Sequence, residues 1–307
     1  MLSLSLEKHS NFKVNCRQYL ALCKPKVVLL LVLTAVTGMI LAPVSPSSSM
    51  VRTLNMLMSA LGIGLAASSA AVINHIIDEH IDKLMHRTKN RPIATGYVKP
   101  IHALIFSLML LALAIIILLQ YANTLATLLT MLGFIGYAII YTVFLKHYTV
   151  HNIVWGGISG ALPPLLGWVS VTNSLALEPI LLTLLIFLWT PAHFWPLAIA
   201  RIDDYRTANV PMMPVVKGVK YTQKYVLFYG LLTVICSLIP YFINWMGGFY
   251  LICACVLGAW FLTYLVKLSR NQHHRIAMAA FRVSIYYLLA LFTALIVDPT
   301  LNSLFLS

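Results

Sequence analysis

Charge is absent from most of this chain. Stretches without Asp, Glu, Lys or Arg run over 27–51, 53–77, 100–145, 147–177, 179–200, 225–266 and 283–297. A helix needs about 20 apolar residues to cross a bilayer. The stretches 100–145 and 225–266 are each long enough for two crossings, divided at the weak turns "QYANT" and "YFINWMGG". The last stretch extends back through "IAMAAF", which leaves Arg282 in its first turns, where it can snorkel. Only 9% of the 307 residues are charged, against about 25% in a soluble domain. The expected fold is an all-α integral membrane protein with nine transmembrane helices.

The cations test that count. With the N-terminus inside, all but one of the 21 Lys and Arg residues fall in inside segments, and only Arg52 falls outside. A wrong number of spans would scramble this alternation, which follows the positive-inside rule. The expected topology is N-terminus in and C-terminus out. A net charge of +13 then needs no nucleic acid, because topology and the anionic headgroups of the lipid bilayer account for it. The chain is expected to be a single domain, 1–307. It comprises a cytoplasmic N-terminal segment over 1–23 and two cytoplasmic loops, 78–100 and 200–223. These loops lie four spans apart, as an old duplication of a helical unit would leave them. The polar segment before the first span is a poor n-region for a cleaved signal peptide. Cys16, Cys23, Cys236, Cys253 and Cys255 show no metal-ligand spacing and read as reduced packing residues.

Scarce charge gathers after the second span, in "NHIIDEHIDKLMHRTKNRP". Asn74, Asp78 and Asp82 are spaced i, i+4, i+8 and drift by only about 40° per step, so they share one helical face. Glu79, Lys83 and Arg87 fall on a neighbouring face and can pair i to i+4. No base stands at i+4 on the row of the two aspartates, where His86 follows. Two carboxylates and an amide without paired bases suit a hard cation, and Mg²⁺ takes one or two carboxylates plus substrate phosphate oxygens. Arg87, Lys89 and Arg91 come next, and a guanidinium fits phosphate oxygens through its planar fork. Together these residues read as a diphosphate site. The competing reading is a solvated helix end whose bases only set topology.

The other acidic cluster follows the sixth span, in "TPAHFWPLAIARIDDYRTANVPMMPVVKG". It contains Arg201, Asp203, Asp204 and Arg206, and Pro211 and Pro214 break the chain beyond it. Two such clusters facing each other across a bundle could each hold a metal bridging one diphosphate.

An NxxxDxxxD after span 2, an acidic loop after span 6 and nine spans resemble the UbiA superfamily of intramembrane prenyltransferases. The blocks "DEHIDKLMHRTKNRP", "NIVWGGISGALPPLLGW" and "PAHFWPLAIARIDDYRTANVPMMPVVKG" are most similar to its haem-farnesylating branch, over nearly the whole chain. That resemblance implies a helical bundle around a central cavity open to the cytoplasmic side, in a bacterial inner membrane. It implies Mg²⁺ as cofactor, with haem b and farnesyl diphosphate as substrates. Farnesyl passes to a vinyl group of haem b, for haem-copper oxidase biogenesis, with haem A synthase or terminal oxidase assembly as neighbours. Asn74, Asp78 and Asp82 match the first metal motif, and Asp203 and Asp204 fall on the second. Many members have DxxxD there, whereas Ala208 stands four residues after Asp204, which leaves Arg201 or Arg206 to supply charge.

His193, flanked by Phe194 and Trp195, reads either as a ligand or hydrogen-bond donor to haem or diphosphate, or as a histidine bonded to a neighbouring helix. His75 and His80 read as local polar contacts. Trp155, Trp168, Trp189 and Trp195 are candidates to line a porphyrin site, although aromatics are common at any membrane interface. Gly156 and Gly160, four apart, read as a close helix-packing face. Two other functions share some features. A quinone-pathway aromatic prenyltransferase would differ only in its acceptor. A secondary transporter would place its polar groups near the midplane, whereas here they sit at span ends.

Overall fold

The computed structural model describes residues 16–43, 49–271 and 273–305. Lys8, His9 and Lys13, within the expected N-terminal segment, lie outside the described residues. Among those described there is helix and turn and no strand. The elements are α1 (Cys16–Leu22), α2 (Pro25–Leu41), α3 (Ser49–Ile77), α4 (Glu79–Leu84), α5 (Pro100–Tyr121) and α6 (Thr124–Ile135). A π-helical segment, Gly136–Leu145, continues α6 into α7 (Lys146–Tyr148). Then come α8 (Asn152–Ala161), α9 (Pro163–Thr172), α10 (Leu177–Ala200), α11 (Ile202–Thr207), α12 (Met213–Val216), α13 (Val219–Phe242), α14 (Gly248–Arg270) and α15 (His274–Phe305).

Eight of the resulting segments are long and apolar enough to cross a membrane, and α1 with α2, bent by 53°, makes a ninth when counted as one span. Each uncharged stretch of the sequence maps onto these helices. The bend falls at Lys24, whose backbone is left-handed (φ 50°), and Pro25 then opens α2 with a φ already suited to a first helical turn. Pro163 and Pro164 do the same for α9 and divide the fifth span into two helices.

Lipid supplies no hydrophobic drive between helices, so small residues and polar cross-links hold the bundle. Ser69 on α3 and Ser107 on α5 each donate to the other's carbonyl, at 2.8 and 3.1 Å. Gly38 of α2 lies against the Pro164 carbonyl and Gly167 of α9 against the Ala35 carbonyl. A Cβ at either position would collide with backbone.

Both ends of α14 are closed by side chains from neighbouring helices. The fully buried Asp298 of α15 accepts from the amides of Gly247 (2.6 Å) and Tyr250 (2.9 Å). Gln223 of α13 donates to the carbonyls of Leu268 and Asn271 at the other end. These groups satisfy orphan backbone atoms that a helix end would otherwise expose. All five cysteines are free, but Cys16 and Cys255 are exposed. Packing therefore describes the buried Cys236 and not these two, because their helix faces point away from the bundle.

Candidate active site

The three residues of the first motif do share one buried face. The backbone bonds Asp78 N–H to Asn74 O and Asp82 N–H to Asp78 O carry the helical path from α3 into α4. Asn74, Asp78 and Asp82 are each 3–4% exposed. The Asn74 amide donates to Asp78 Oδ2 at 2.8 Å. On the neighbouring face Lys83 pairs with Glu79 at 2.7 Å, as the spacing predicts.

The two aspartates are not without bases, contrary to the sequence expectation. Lys146 reaches Asp78 Oδ2 at 2.6 Å, and Arg91 bonds both oxygens of Asp82 at 2.8 and 2.7 Å. Lys24 donates to Asn74 Oδ1 at 2.5 Å. The physical reason is burial, since a carboxylate out of water demands a counter-charge. Helical spacing reveals only partners on the same helix, and these bases come from other segments. Three cations thus face two carboxylates, and the surplus positive charge suits an anionic ligand. Asp78 Oδ1 remains buried without a hydrogen-bond partner.

Lys146 reaches the cluster through the π-helical segment. In an α-helix, nine steps of about 100° would set Lys146 opposite Tyr137. Bonds to the fifth residue wind the chain more loosely. Here Lys146 N–H bonds Tyr141 O, and Thr142 Oγ1 bonds Tyr137 O at 2.8 Å. Tyr137, Thr142 and Lys146 then all face α3. Tyr137 OH accepts from Lys24, and Thr142 Oγ1 accepts from Asn74 at 3.4 Å. The rings of Tyr137 and Tyr141 stack at 5.5 Å. None of these four residues stood out in the sequence, because α-helical periodicity disperses them. Gly156 lies directly against the Tyr141 ring, and Gly157 against Thr190. Gly160 has nothing within 4 Å of an added Cβ, so the expected Gly156/Gly160 pair is in fact Gly156 and Gly157.

The second loop turns one of its two aspartates inward. Asp204 has a buried Oδ2 without a hydrogen-bond partner, as does Arg201 at Nε. Asp203 and Arg206 pair with each other at 3.0 Å, with side chains 87% and 63% exposed. Tyr205 is buried, in the large apolar cluster that also includes Met85 of the first loop. Burial pushes the Tyr205 phenol up, while the charge of Arg87 opposes the rise. Arg87 and Lys89 are exposed, whereas Arg91 is committed to Asp82.

His193 is bonded to a neighbouring helix. Its Nδ1 lies 2.7 Å from Ser284 Oγ on α15, and its ring is stacked between Trp189 (4.2 Å) and Phe281 (4.6 Å). His75 is buried with neither ring nitrogen bonded, so it makes no local polar contact. The helix turn carries it inside rather than to the loop surface. Trp168, Trp189 and Trp195 are packed inside the bundle, while Trp155 is exposed. A groove of about 610 Å³ opens elsewhere, between α1 and α5, lined by Cys16, Tyr19, Cys23 and Phe106. None of the acidic residues lines it.

The donor set fits Mg²⁺ as a partial shell. Asp78 Oδ1 and Asp204 Oδ2 are buried oxygens with capacity to spare. Among the described residues no three His, Cys, Asp or Glu side chains converge as a protein cage. Mg²⁺ does not require one, since it keeps waters and binds through one or two carboxylates with substrate phosphates.

A helical membrane bundle, with this carboxylate and cation cluster at its first polar loop and an inward carboxylate in its second, defines the class. The chain belongs to the UbiA prenyltransferase family, whose model matches residues 31–296. Within that class it is similar to protoheme IX farnesyltransferases. Protoheme IX farnesyltransferase 1 of Pseudomonas putida is 48% identical, over 92% of this chain and 94% of its own. Protoheme IX farnesyltransferase of Thioalkalivibrio sulfidiphilus is 49% identical over 92% of both chains. Solved structures share the fold. Digeranylgeranylglyceryl phosphate synthase superposes with a TM-score of 0.75 at 20% identity, covering 92% of this chain and 98% of that one. A UbiA homolog from Archaeoglobus fulgidus bound to DMAPP and Mg²⁺ gives 0.65 at 17%, covering 91% and 99%.

Proposed function

We propose that this chain transfers the farnesyl group of farnesyl diphosphate to a vinyl group of haem b, giving haem O and diphosphate. The observation that carries the reading is the pairing of buried carboxylates with surplus cations at the first loop. The relatives' identity of about 48% over nearly the whole chain selects the acceptor. In the proposed reaction the C1–O bond of the farnesyl diphosphate breaks and C1 bonds the terminal vinyl carbon. Water then adds to the inner vinyl carbon and a proton leaves.

Asp78 and Asp82 of the first loop and Asp204 of the second are the residues proposed to hold Mg²⁺, with Asn74 orienting Asp78. Bound there, the ion would supply Lewis-acid stabilisation of the departing diphosphate. Arg87, Lys89 and Arg201 lie at the loops and supply fixed positive charge for the same anion. Asp203 and Arg206, at the surface, are assigned supporting roles in the field around the mouth. The bundle keeps water from the allylic carbon until the new bond forms. His193 is assigned to the acceptor side, with Nδ1 held by Ser284. The alternation of Lys and Arg supports a cytoplasmic N-terminus, nine spans, a site open to the cytoplasm and a bacterial inner-membrane home. Haem A synthase or the terminal oxidase assembly would receive the product in the same membrane.

The deciding experiment incubates the purified protein with haem b, farnesyl diphosphate and Mg²⁺ and reads the mass of the haem. A gain equal to farnesyl plus hydroxyl supports the assignment. Unaltered haem, with prenylated 4-hydroxybenzoate in a parallel reaction, would move the protein to the aromatic branch of its family.

A further inference from the structure

The His193 ring is held on three sides. It lies between Trp189, stacked at 4.2 Å, and Phe281, stacked at 4.6 Å, so both faces are covered. Nδ1 lies 2.7 Å from Oγ of Ser284, which is fully buried on α15. The proton of that contact can be placed. Ser284 has one hydroxyl proton and donates it to the Phe281 carbonyl at 2.7 Å, and a carbonyl only accepts. The Nδ1 contact therefore uses the imidazole's own N–H, and the lone pair of the neutral ring is on Nε2. Ser284 fixes the wall as well, since its carbonyl accepts from the Trp189 indole N–H at 2.9 Å. Nε2 has no hydrogen-bond partner among the described residues, and it is not sealed into the packing as the ring nitrogens of His75 are. A lone pair binds a proton donor or a metal. Ionised propionates and diphosphate only accept, so His193 is not a donor to either of them. Within the two proposed substrates, the group that takes a lone pair is the haem iron.

We infer that His193 Nε2 is the axial ligand of the haem iron, and that Ser284 is the positioning residue that fixes its tautomer. The inference rests on the reading of haem as acceptor and adds how the porphyrin is held. A metal-bound imidazole usually donates its other N–H to a neighbouring acceptor, which sets the ring's orientation and raises its basicity. Ser284 Oγ fills that place. The lone pair lies in the ring plane, so Trp189 and Phe281 leave it free while they stop the ring from turning. The bond is a donor bond from nitrogen to iron, and no proton or electron moves. His193 lies seven residues before the end of α10 at Ala200, roughly 10 Å along the axis. An iron held there sits in the apolar interior, deeper than the carboxylates of the loops.

The test is resonance Raman spectroscopy of ferrous haem b bound to the full-length protein, made with and without ¹⁵N-histidine. The wild type is expected to show an iron–imidazole stretching band that moves with the label. His193→Gly should lose the band, and added imidazole should restore it by occupying the space the ring has left. Ser284→Ala keeps the histidine, and should shift the band and weaken haem binding about tenfold, as loss of a ligand's outer partner does. Binding of inorganic diphosphate with Mg²⁺ should stay near wild type in both variants, which also shows that each is folded. A wild type without the labelled band, or a band that persists in His193→Gly, would overturn the ligand. So would a parallel loss of diphosphate and haem binding in both variants, the mark of a structural histidine. Normal haem binding in His193→Gly with only the addition of hydroxyl slowed would overturn it in favour of a proton acceptor. A band unmoved in Ser284→Ala would overturn the positioning role. A wild type that shows the labelled band yet returns unaltered haem keeps the ligand and loses the farnesyl transfer. One that farnesylates haem while both variants keep the wild-type band keeps its function and loses the ligand.

Discussion

Replacing Lys146 by Met tests whether the π-helical segment delivers a buried charge. The ammonium sits 2.6 Å from Asp78 Oδ2, with side-chain exposures of 11% and 4%. At an effective dielectric of about 20 that separation corresponds to roughly 6 kcal/mol of attraction, most of it offset by desolvation. Removing one partner alone strands the other, which costs about 3–5 kcal/mol. Asp78 keeps the Asn74 amide at 2.8 Å, so the lower end, about 3 kcal/mol, is expected. The assay is unfolding in mixed micelles by titration with a denaturing detergent, without substrates. The double variant Lys146→Met/Asp78→Asn should recover most of the loss, since no buried charge remains. Added Mg²⁺ should recover part of it in Lys146→Met alone, by returning positive charge to Asp78. A single-variant loss below about 1 kcal/mol, the range of an exposed pair, would refute the reasoning. Additive losses in the double variant would refute it equally.

Three further outcomes follow from the geometry. Asp204→Ala should nearly abolish turnover while Asp203→Ala keeps most of it, measured at saturating Mg²⁺, because Asp204 alone turns a buried oxygen inward. Gly156→Ala should destabilise by about 1–3 kcal/mol through overpacking against the Tyr141 ring, while Gly160→Ala leaves the unfolding midpoint unchanged. Asp298→Ala should cost about 1–3 kcal/mol by stranding the amides of Gly247 and Tyr250, with the KM of each substrate unaltered.

The sequence was most informative where one physical rule acts along one helix. Uncharged stretches give the spans because lipid tolerates nothing else over that length. The row Asn74, Asp78, Asp82 survives because all three positions lie on one continuous helical path. Partners that meet across the bundle left no such trace. Lys24 and Lys146 are read from sequence as topology markers, yet both bond the acidic row. The choice between Asp203 and Asp204 depends on which side of a single turn faces inward, and adjacent residues of like chemistry do not reveal it. Asp298 bounds the last uncharged stretch in the sequence, and in the fold it closes the end of another helix.

The π-helical segment changes what may vary within it. Ile139, Ile140, Val143 and Phe144 are all exposed on its outer side, so any greasy side chain of similar size serves there. Their number is another matter. Deleting one would swing Lys146 away from Asp78 and Tyr137 away from Lys24, because each residue in a helix is also an increment of rotation. Between Tyr137 and Lys146 the chain therefore acts as a ruler, indifferent to what its marks are made of and strict about how many there are.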